Sequence, residues 1–217
     1  MTALETRERL RLAVPNKGRL VEPTVELLRD AGLVFEEHER SLVARVRNFD
    51  LDILFVRTND VIEFVGDGVA DLGVTGEDLL AETGAELPRL RSLGYGQCRL
   101  AAAVPADSAY RRVDELAGLR VATAHPNTTR RFFERSGIPV DVISISGAVE
   151  VAPRLGLAEA IVDLVSTGNA LKANDLIAVE EIAQVSARLI VNQAAYKLKR
   201  AEIQPLLDAL ARAVKRS

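Results

Sequence analysis

The chain has 217 residues, of which 48% are hydrophobic and 27% are charged, a composition typical of a globular protein with a sizeable core. Its 28 lysines and arginines against 31 aspartates and glutamates give a net charge of −3, which lacks the basic excess of nucleic-acid-binding proteins. Only 4% of the residues are aromatic and none is tryptophan, which also disfavours a surface for base stacking.

Cysteine and histidine are scarce. Cys98 is the only cysteine, so an intrachain disulfide is excluded and the cytoplasm is favoured. His38 and His125 lie far apart without companion cysteines, so we predict no zinc site and expect any metal to arrive bound to a substrate. The first residues carry charges where a signal peptide needs an apolar run, and no apolar run reaches the length of a membrane span. We therefore expect a cytoplasmic protein.

Strand-like and helix-like segments alternate along the first half of the chain, a pattern that predicts the α/β class. Leu10–Val14 predicts a strand, and apolar residues at helical spacing predict a helix that ends at Gly32. Asp52–Val56 predicts the next strand, with Asn59 as the N-cap of the following helix.

Asp71–Leu80 predicts a third strand, turn and helix. The turn contains Thr75 and Gly76, small residues past which a flat ring or a phosphate could approach the backbone. Glu77 and Asp78 would then lie in the first helical turn, where the helix dipole favours acids in any case. An ordinary helix start is the alternative.

A second series of strands and helices begins near residue 97. Its predicted strands are RLAAAVP, LRVAT, VDVISIS and EAIVDLV, and its predicted helices are HPNTTRRFFERSGI and GAVEVAPRLG. Two β-rich stretches with a charged turn between them follow Leu176, and an amphipathic helix runs to Val214. We predict two α/β lobes with mostly parallel sheets and a cleft between them. Residues 1–96 plus 178–217 would form the first lobe, and 97–177 the second.

One strand end in the second lobe carries an acid followed by the small residues S-T-G-N. The carboxyl ends of parallel strands are where open α/β sheets bind ligands. Ser166 and Thr167 offer hydroxyl groups, Gly168 lets a ligand approach the backbone, and a helix starting near Ala170 would direct free N–H groups to the same place. This pattern predicts a phosphate site without lysine. A plain strand-to-helix turn is the alternative, and it is favoured for the tetrapeptide alone.

The acid, Asp163, would repel a phosphate unless a neutral, hydroxyl-rich part of the ligand lay between them. A sugar phosphate meets that condition, because a carboxylate accepts two hydrogen bonds from neighbouring hydroxyls. Glu150 is a candidate for a second carboxylate. The chain contains neither the G-K-[ST] of a P-loop nor the GxGxxG of a dinucleotide-binding fold.

Cations follow two predicted strands of the first lobe. Lys17 and Arg19 flank Gly18 at a helix start, and Arg57 directly follows a strand. Charges and backbone N–H groups that converge in this way suit a polyphosphate, whereas a solvated basic turn is the alternative for K-G-R alone. His125, at another predicted helix start, is a weak candidate for an anion contact.

The segment Glu150–Leu171 resembles the signature of the ATP phosphoribosyltransferases, which catalyse the first step of histidine biosynthesis. Further segments resemble the same family in the same order, so that nearly the whole chain is covered: KGRL, DGVADLGVTGEDLL, GQCRLAAAVP and HPNTTRRFFERSGI. Ala170 departs from the pattern, because the family commonly has threonine there. The missing hydroxyl is worth roughly 0.5–1.5 kcal/mol, too little to abolish a site with many contacts.

The resemblance implies a two-lobed fold similar to type II periplasmic binding proteins. It implies transfer of the 5-phosphoribosyl group of 5-phosphoribosyl 1-pyrophosphate (PRPP) to N1 of ATP, with Mg²⁺ carried by PRPP and ATP. The length resembles that of the short form of the family. This implies a dimeric catalytic core that assembles with a regulatory subunit related to histidyl-tRNA synthetase.

The site residues implied by the resemblance fall into two sets. PRPP would be bound by Glu150, Asp163, Ser166, Thr167, Gly168, Asn169, Ala170 and Leu171. ATP would be bound by Lys17, Gly18, Arg19, Arg57, Thr75 and Gly76. Lys17, Arg19 and Arg57 would be catalytic, with Arg57 stabilising the leaving pyrophosphate. No protein-bound metal and no general base are expected, because N1 of adenine is unprotonated at neutral pH.

Two other functions remain open. A solute-binding or sensor module has the same two-lobed architecture. A different phosphoribosyltransferase is the second alternative, but the better-known ones carry two adjacent acids before their T-G turn, whereas Asp163 is followed by Leu164.

Overall fold

The computed structural model describes residues 9–36 and 41–215. The chain divides into two compact units. The first unit comprises residues 1–76, 85–96 and 187–217, and the second comprises residues 77–84 and 97–186.

Strands and helices alternate through both units, which confirms the α/β class. In chain order the strands are β1 (Leu10–Pro15), β2 (Val43–Arg45), β3 (Leu51–Val56), β4 (Leu72–Gly76), β5 (Arg89–Ser92), β6 (Cys98–Pro105), β7 (Arg120–Thr123), β8 (Asp141–Ser144), β9 (Ala160–Val165), β10 (Leu176–Val185) and β11 (Ala187–Val191). The helices are α1 (Val21–Asp30), α2 (Asp60–Gly66), α3 (Glu77–Thr83), α4 (Pro126–Arg135), α5 (Asn169–Ala173), α6 (Gln193–Leu198) and α7 (Arg200–Val214), with short 3₁₀ helices at Val113–Leu116 and Val149–Val151.

The first unit is built on a six-stranded sheet with the order β2-β3-β1-β4-β11-β5. Strands β3, β1 and β4 are parallel, whereas β2, β11 and β5 pair antiparallel with their neighbours. Leu51, Ile53 and Phe55 of β3 are buried and the residues between them are partly exposed, so their alternation places one face of the strand on the core. Leu28 of α1 and Leu206 of α7 complete the same core.

The second unit is built on a five-stranded sheet with the order β10-β6-β9-β7-β8. Strands β9, β7 and β8 are parallel, and β6 and β10 are antiparallel to their neighbours. Ala101 and Ala103 of β6 contribute to the core on one face of this sheet, and Ala102 contributes to the core on the other. Thr123 of β7 is aligned with Val162 of β9, so the carboxyl ends of these two strands lie side by side.

Both sheets are mixed, where mostly parallel sheets were predicted. A strand that is buried on both faces has the same apolar pattern in either direction, so the pattern did not reveal that β6 and β11 run antiparallel to their neighbours.

The unit boundaries also differ from the predicted ones. Strand β10 pairs with β6 from Leu176 opposite Pro105 to Val185 opposite Cys98, so the chain leaves the second unit after Ser186 and not near residue 177. Only Ser186 separates β10 from β11, and the predicted charged turn between them is absent.

Two local predictions were wrong. Thr75 and Gly76 do not form a turn, because β4 continues to Gly76 and both residues are buried. The segment after β8 forms only the 3₁₀ turn Val149–Val151 instead of a helix. Pro153 lies in this segment and its ring prevents the backbone hydrogen bond that a longer helix would need.

Candidate active site

The turn after β9 has an open face. Gly168 has φ of 79°, in the left-handed region that glycine adopts easily. A Cβ atom at this position would meet no atom within 4 Å. Helix α5 begins at the next residue but has only five residues, so its dipole is smaller than that of a full helix. Anion binding at this turn therefore depends on individual donors.

Several donors of this turn are available. The Oγ1 atom of Thr167 accepts a hydrogen bond from the Asn169 N–H at 3.4 Å and keeps its own hydrogen to donate. Among the described residues, the backbone N–H groups of Ala170 and Leu171 have no hydrogen-bond partner. Ser166 is exposed and adds a second hydroxyl group. These donors suit a phosphate group without the help of a lysine.

Two carboxylates accompany the turn. Asp163 of β9 is partly buried, and its Oδ1 accepts a hydrogen bond from the Leu164 N–H at 2.8 Å. Burial raises the pKa of Asp163 and the charge of Glu150 adds to this rise, whereas the Leu164 N–H and the charge of His125 lower the pKa. Glu150 lies on the 3₁₀ turn Val149–Val151 and is also partly buried. Both acids lie in the second unit.

His125 was only a weak candidate on the basis of its sequence position. It is 5% exposed, and its Nε2 lies 3.4 Å from Oδ2 of the buried Asp78. Its Nδ1 is buried and has no hydrogen-bond partner among the described residues. One signal could have identified it: it follows β7 and precedes Pro126, which places it at the carboxyl end of the strand beside β9.

The first unit carries the basic turn between β1 and α1. Lys17, Gly18 and Arg19 are exposed, and Gly18 has φ of 90°. An open cavity of about 340 Å³ is lined by Asn16 to Arg19 with the start of α1. The Arg19 guanidinium donates a hydrogen bond to the carbonyl of Gly96.

Arg57 lies beside this basic turn. Strands β1 and β3 are parallel neighbours, so the loops that follow them are adjacent. The hydroxyl of Thr58 donates to the carbonyl of Lys17 at 3.1 Å and ties the two loops together. Arg57 is exposed. The structure therefore brings Lys17, Arg19 and Arg57 to one edge of the sheet, an arrangement suited to a polyanion.

Thr75 and Gly76 are less accessible than predicted. Both lie inside β4, and Thr75 has no exposed surface. Its Oγ1 and the Oδ1 of Asn16 are buried and have no hydrogen-bond partner among the described residues. Thr75 and Gly76, both predicted to contact ATP, are therefore buried in this structure.

The predicted PRPP residues all lie in the second unit and the predicted ATP residues all lie in the first. Within residues 9–36 and 41–215, no three histidine, cysteine, aspartate or glutamate side chains are grouped as a metal site. Over the same residues, no helix combines the length and the apolar character needed to cross a membrane.

Comparison with known proteins identifies the family. The family model described as HisG, ATP phosphoribosyltransferase, matches residues 57–212. This chain belongs to the ATP phosphoribosyltransferase family. The ATP phosphoribosyltransferase of Gemmatimonas aurantiaca is 46% identical over 95% of this chain and 73% of its own length. That of Methanopyrus kandleri is 49% identical over 83% of this chain, and that of Burkholderia orbicola is 48% identical over 91%. The matches span 64% of the Methanopyrus protein and 94% of the Burkholderia protein.

A solved structure supports the assignment of this chain to the ATP phosphoribosyltransferase family. The ATP phosphoribosyl transferase (HisG:HisZ) complex from Thermotoga maritima is 33% identical to this chain, with a TM-score of 0.83 over 96% of this chain and 100% of that one. The alkanesulfonate-binding protein SsuA from Xanthomonas axonopodis pv. citri is 16% identical over 95% of this chain and 73% of its own, with a TM-score of 0.60. At that identity only the fold is shared, which confirms the predicted likeness to periplasmic binding proteins.

The ATP phosphoribosyltransferase match covers one of the two sets of candidate residues fully. It includes Glu150, Asp163 and the turn Ser166–Leu171, and it begins at Arg57. The basic turn Lys17–Arg19 lies before the matched residues, so its assignment depends on its position next to Arg57.

Proposed function

We propose that this chain transfers the 5-phosphoribosyl group of PRPP to N1 of ATP, giving N1-(5-phospho-β-D-ribosyl)-ATP and pyrophosphate, the first step of histidine biosynthesis. One observation carries the proposal. In a member of the ATP phosphoribosyltransferase family, Asp163 and Glu150 accompany a turn whose free donors suit a phosphate.

PRPP is the substrate of the second unit in this proposal. The donors of the turn Ser166–Leu171 bind the 5-phosphate, and the open face at Gly168 admits it. Asp163 and Glu150 accept hydrogen bonds from the ribose hydroxyls, which separate the acids from the phosphate. Charge-assisted hydrogen bonds of this type are about twice as strong as neutral ones.

ATP and the pyrophosphate of PRPP are the ligands of the basic edge of the first unit. Lys17, Arg19 and Arg57 neutralise these phosphates, and Gly18 lets them approach the backbone. The burial of Thr75 and Gly76 argues against a direct contact, so we assign them the role of shaping the end of β4.

The reaction needs alignment and charge neutralisation more than acid–base chemistry. The bond between C1 of the ribose and the pyrophosphate oxygen breaks, and the electron pair leaves with pyrophosphate. The lone pair of N1, unprotonated at neutral pH, forms the new bond to C1. Mg²⁺ enters as part of the PRPP complex. The protein orients two polyanions and stabilises the charge that develops on the leaving group, for which Arg57 is our candidate.

We further propose that this chain is a short-form catalytic subunit that acts in the cytoplasm. The solved complex from Thermotoga maritima contains HisG and HisZ. By analogy, a dimeric core of this chain would assemble with a regulatory subunit related to histidyl-tRNA synthetase.

A solute-binding function is the second candidate, because the fold is shared with SsuA. The deciding experiment mixes the purified chain with ATP, PRPP and Mg²⁺, with and without a HisZ-type subunit, and looks for phosphoribosyl-ATP by mass and ultraviolet absorbance. We expect product in at least one mixture. Tight PRPP binding without product in both mixtures would support the solute-binding function instead.

The role of Arg57 is tested by Arg57→Ala. We expect kcat to fall by about 10²-fold while both KM values change less, because the guanidinium stabilises charge that appears mainly in the transition state. Arg45→Ala is the control, since Arg45 is an exposed arginine of the same unit. It lies on β2, aligned across the sheet with Asp52 near the start of β3, away from the basic edge. An unchanged kcat for Arg57→Ala would remove its assigned role.

A further inference from the structure

The basic turn between β1 and α1 is attached to the segment that leads out of the first unit. The guanidinium of Arg19 donates a hydrogen bond from Nη1 to the carbonyl of Gly96 at 2.5 Å. Both residues belong to the first unit, and Gly96 is the last residue before the chain enters the second. The contact therefore joins an exposed, long side chain of the proposed phosphate-binding edge to a segment that is distant in the sequence.

Only glycine fits the position that accepts this hydrogen bond. Gly96 has φ of 68°, in the left-handed region that glycine adopts easily. A Cβ atom here would lie 2.5 Å from Cδ2 of the buried Leu20 and 3.0 Å from Nη1 of Arg19. Any side chain at this position would thus displace the guanidinium that the carbonyl holds.

A second contact joins the same two segments. The Tyr95 hydroxyl lies 2.6 Å from Oγ1 of Thr24 in α1, and this Oγ1 donates to the carbonyl of Leu20. Because the hydrogen of Thr24 is used in that bond, the Tyr95 hydroxyl is the donor to Thr24. Burial raises the pKa of Tyr95 to about 12, so this hydroxyl keeps its hydrogen at neutral pH. Tyr95 thus fixes the start of α1, which directly follows Arg19.

These contacts remove an unfavourable step from phosphate binding by an exposed arginine. A long side chain that moves freely in water must be ordered when a ligand binds, and this ordering lowers the affinity. A guanidinium carries five N–H donors in one plane, so a hydrogen bond to a carbonyl is compatible with binding a phosphate. An arginine that is held in place beforehand therefore binds a phosphate more tightly than the same arginine on an unanchored turn.

We propose that Gly96 and Tyr95 are positioning residues that hold Arg19 in place for a phosphate of a polyphosphate ligand. Gly96 acts through its carbonyl, and Tyr95 acts by fixing the start of α1. The proposal rests on the proposed function, because it assumes that Arg19 binds a phosphate of ATP or the pyrophosphate of PRPP. If the segment had a purely structural role, its variants would have the same effect on binding with or without Arg19.

The test is calorimetric titration of Mg²⁺–ATP and, separately, of Mg²⁺–PRPP into the full chain, for wild type, Gly96→Ala, Arg19→Ala and the double variant. We expect Gly96→Ala to raise the Kd of at least one ligand by roughly threefold to tenfold, the effect of releasing one long side chain that must be ordered again on binding. In the Arg19→Ala background, Gly96→Ala should change the same Kd by less than about twofold. The ligand that shows this pattern is the one whose phosphates Arg19 binds.

Gly94→Ala is the matched control for backbone strain in the same segment. Gly94 has φ of 78°, and a Cβ atom there would lie 3.2 Å from Cγ1 of Val214 and more than 4 Å from Arg19 and Leu20. This variant should lose similar stability in thermal melting and leave both Kd values unchanged. Equal losses of affinity for Gly94→Ala and Gly96→Ala would assign the effect to strain and overturn the proposal.

A loss from Gly96→Ala that persists in the Arg19→Ala background would overturn the proposal, and so would normal binding of both ligands by Gly96→Ala. If Arg19→Ala weakens binding and Gly96→Ala does not, this inference fails while the phosphate-binding role of Arg19 stands. If Arg19→Ala binds both ligands normally, that role fails and this inference fails with it. Tyr95→Phe is the second variant should Gly96→Ala not fold: we expect a smaller loss that also disappears without Arg19, and normal binding would overturn the proposal.

Discussion

At the scale of single residues, a substitution of Gly168 should affect stability only modestly and PRPP binding strongly. Its φ of 79° costs a residue with a Cβ roughly 1–2 kcal/mol, but the protein leaves open space where that Cβ would lie. Gly168→Ala should therefore fold with a modest loss of stability. It should bind PRPP at least about tenfold more weakly, because the methyl group would occupy the open face of the turn, where the phosphate is proposed to bind. Thermal melting and PRPP titration measure the two effects.

Gly137→Ala provides the matched control. Gly137 lies just after α4 in the same unit, has φ of 68°, and has no atom within 4 Å of the position that a Cβ would occupy. It should lose similar stability and bind PRPP normally. Equal losses of PRPP affinity in both variants would mean that backbone strain weakens binding, and not the methyl group on the open face of the turn.

Ala170 marks a place where binding can be improved. A threonine here adds a hydroxyl next to backbone N–H groups that already lack partners among the described residues. One added neutral hydrogen bond is worth roughly 0.5–1.5 kcal/mol, so Ala170→Thr should lower the Kd for PRPP by about 2-fold to 10-fold. Ala173→Thr, one turn further along α5, adds the same side chain at an exposed position away from the donors and should leave Kd unchanged. No gain from Ala170→Thr would place the phosphate elsewhere.

At the scale of elements, α3 is attached to α4 by a carboxylate. The Glu82 side chain accepts hydrogen bonds from the N–H groups of Asn127 and Thr128 at 2.8 and 2.9 Å, the position of an N-terminal cap. Glu82→Gln should destabilise the second unit by about 0.5–2 kcal/mol. Glu134→Gln is the control of opposite sign, because a negative charge in the last turn of α4 is unfavourable. Chemical denaturation of both variants tests this, and equal stability would show that the cap is not needed.

The sequence predicted the elements better than their assembly. The apolar runs around Leu12 and Ile53 located β1 and β3, and the small-residue turn at Gly168 was predicted at its correct position after β9. Those runs revealed neither the direction of the strands nor the pairing of β10 with β6. Both depend on contacts between segments that are distant in the sequence. The approach of His125 to Asp78 was not predicted for the same reason, because the two residues are 47 positions apart in the sequence.

At the scale of the whole molecule, each unit has its own sheet, its own core and its own set of candidate residues. In the proposed PRPP site, the second unit folds around acids whose role is to bind a ligand. Proteins often retain destabilising groups at such sites, because function requires them. Asp163 is the clearest case in this chain, because its carboxylate lies partly buried on a central strand, where burial and the charge of Glu150 raise its pKa.

The free energy of unfolding should therefore rise when this charge is removed. Since burial raises the pKa of Asp163 in the folded state, the folded state holds the proton more tightly than the unfolded one, and stability falls as the pH rises through that window. Asp163→Asn should raise Tm at pH 7.5 by a few degrees or less, because about 1 kcal/mol shifts the Tm of a chain of this size by roughly 2–4 °C. The gain should shrink at acid pH, where the wild-type carboxyl is protonated as well, while PRPP binding is weakened at neutral pH. Asp141→Asn, at an exposed site on β8, should leave Tm nearly unchanged at both pH values. A lower Tm for Asp163→Asn at neutral pH would show that the carboxylate stabilises the fold, and its presence would then need no ligand to explain it.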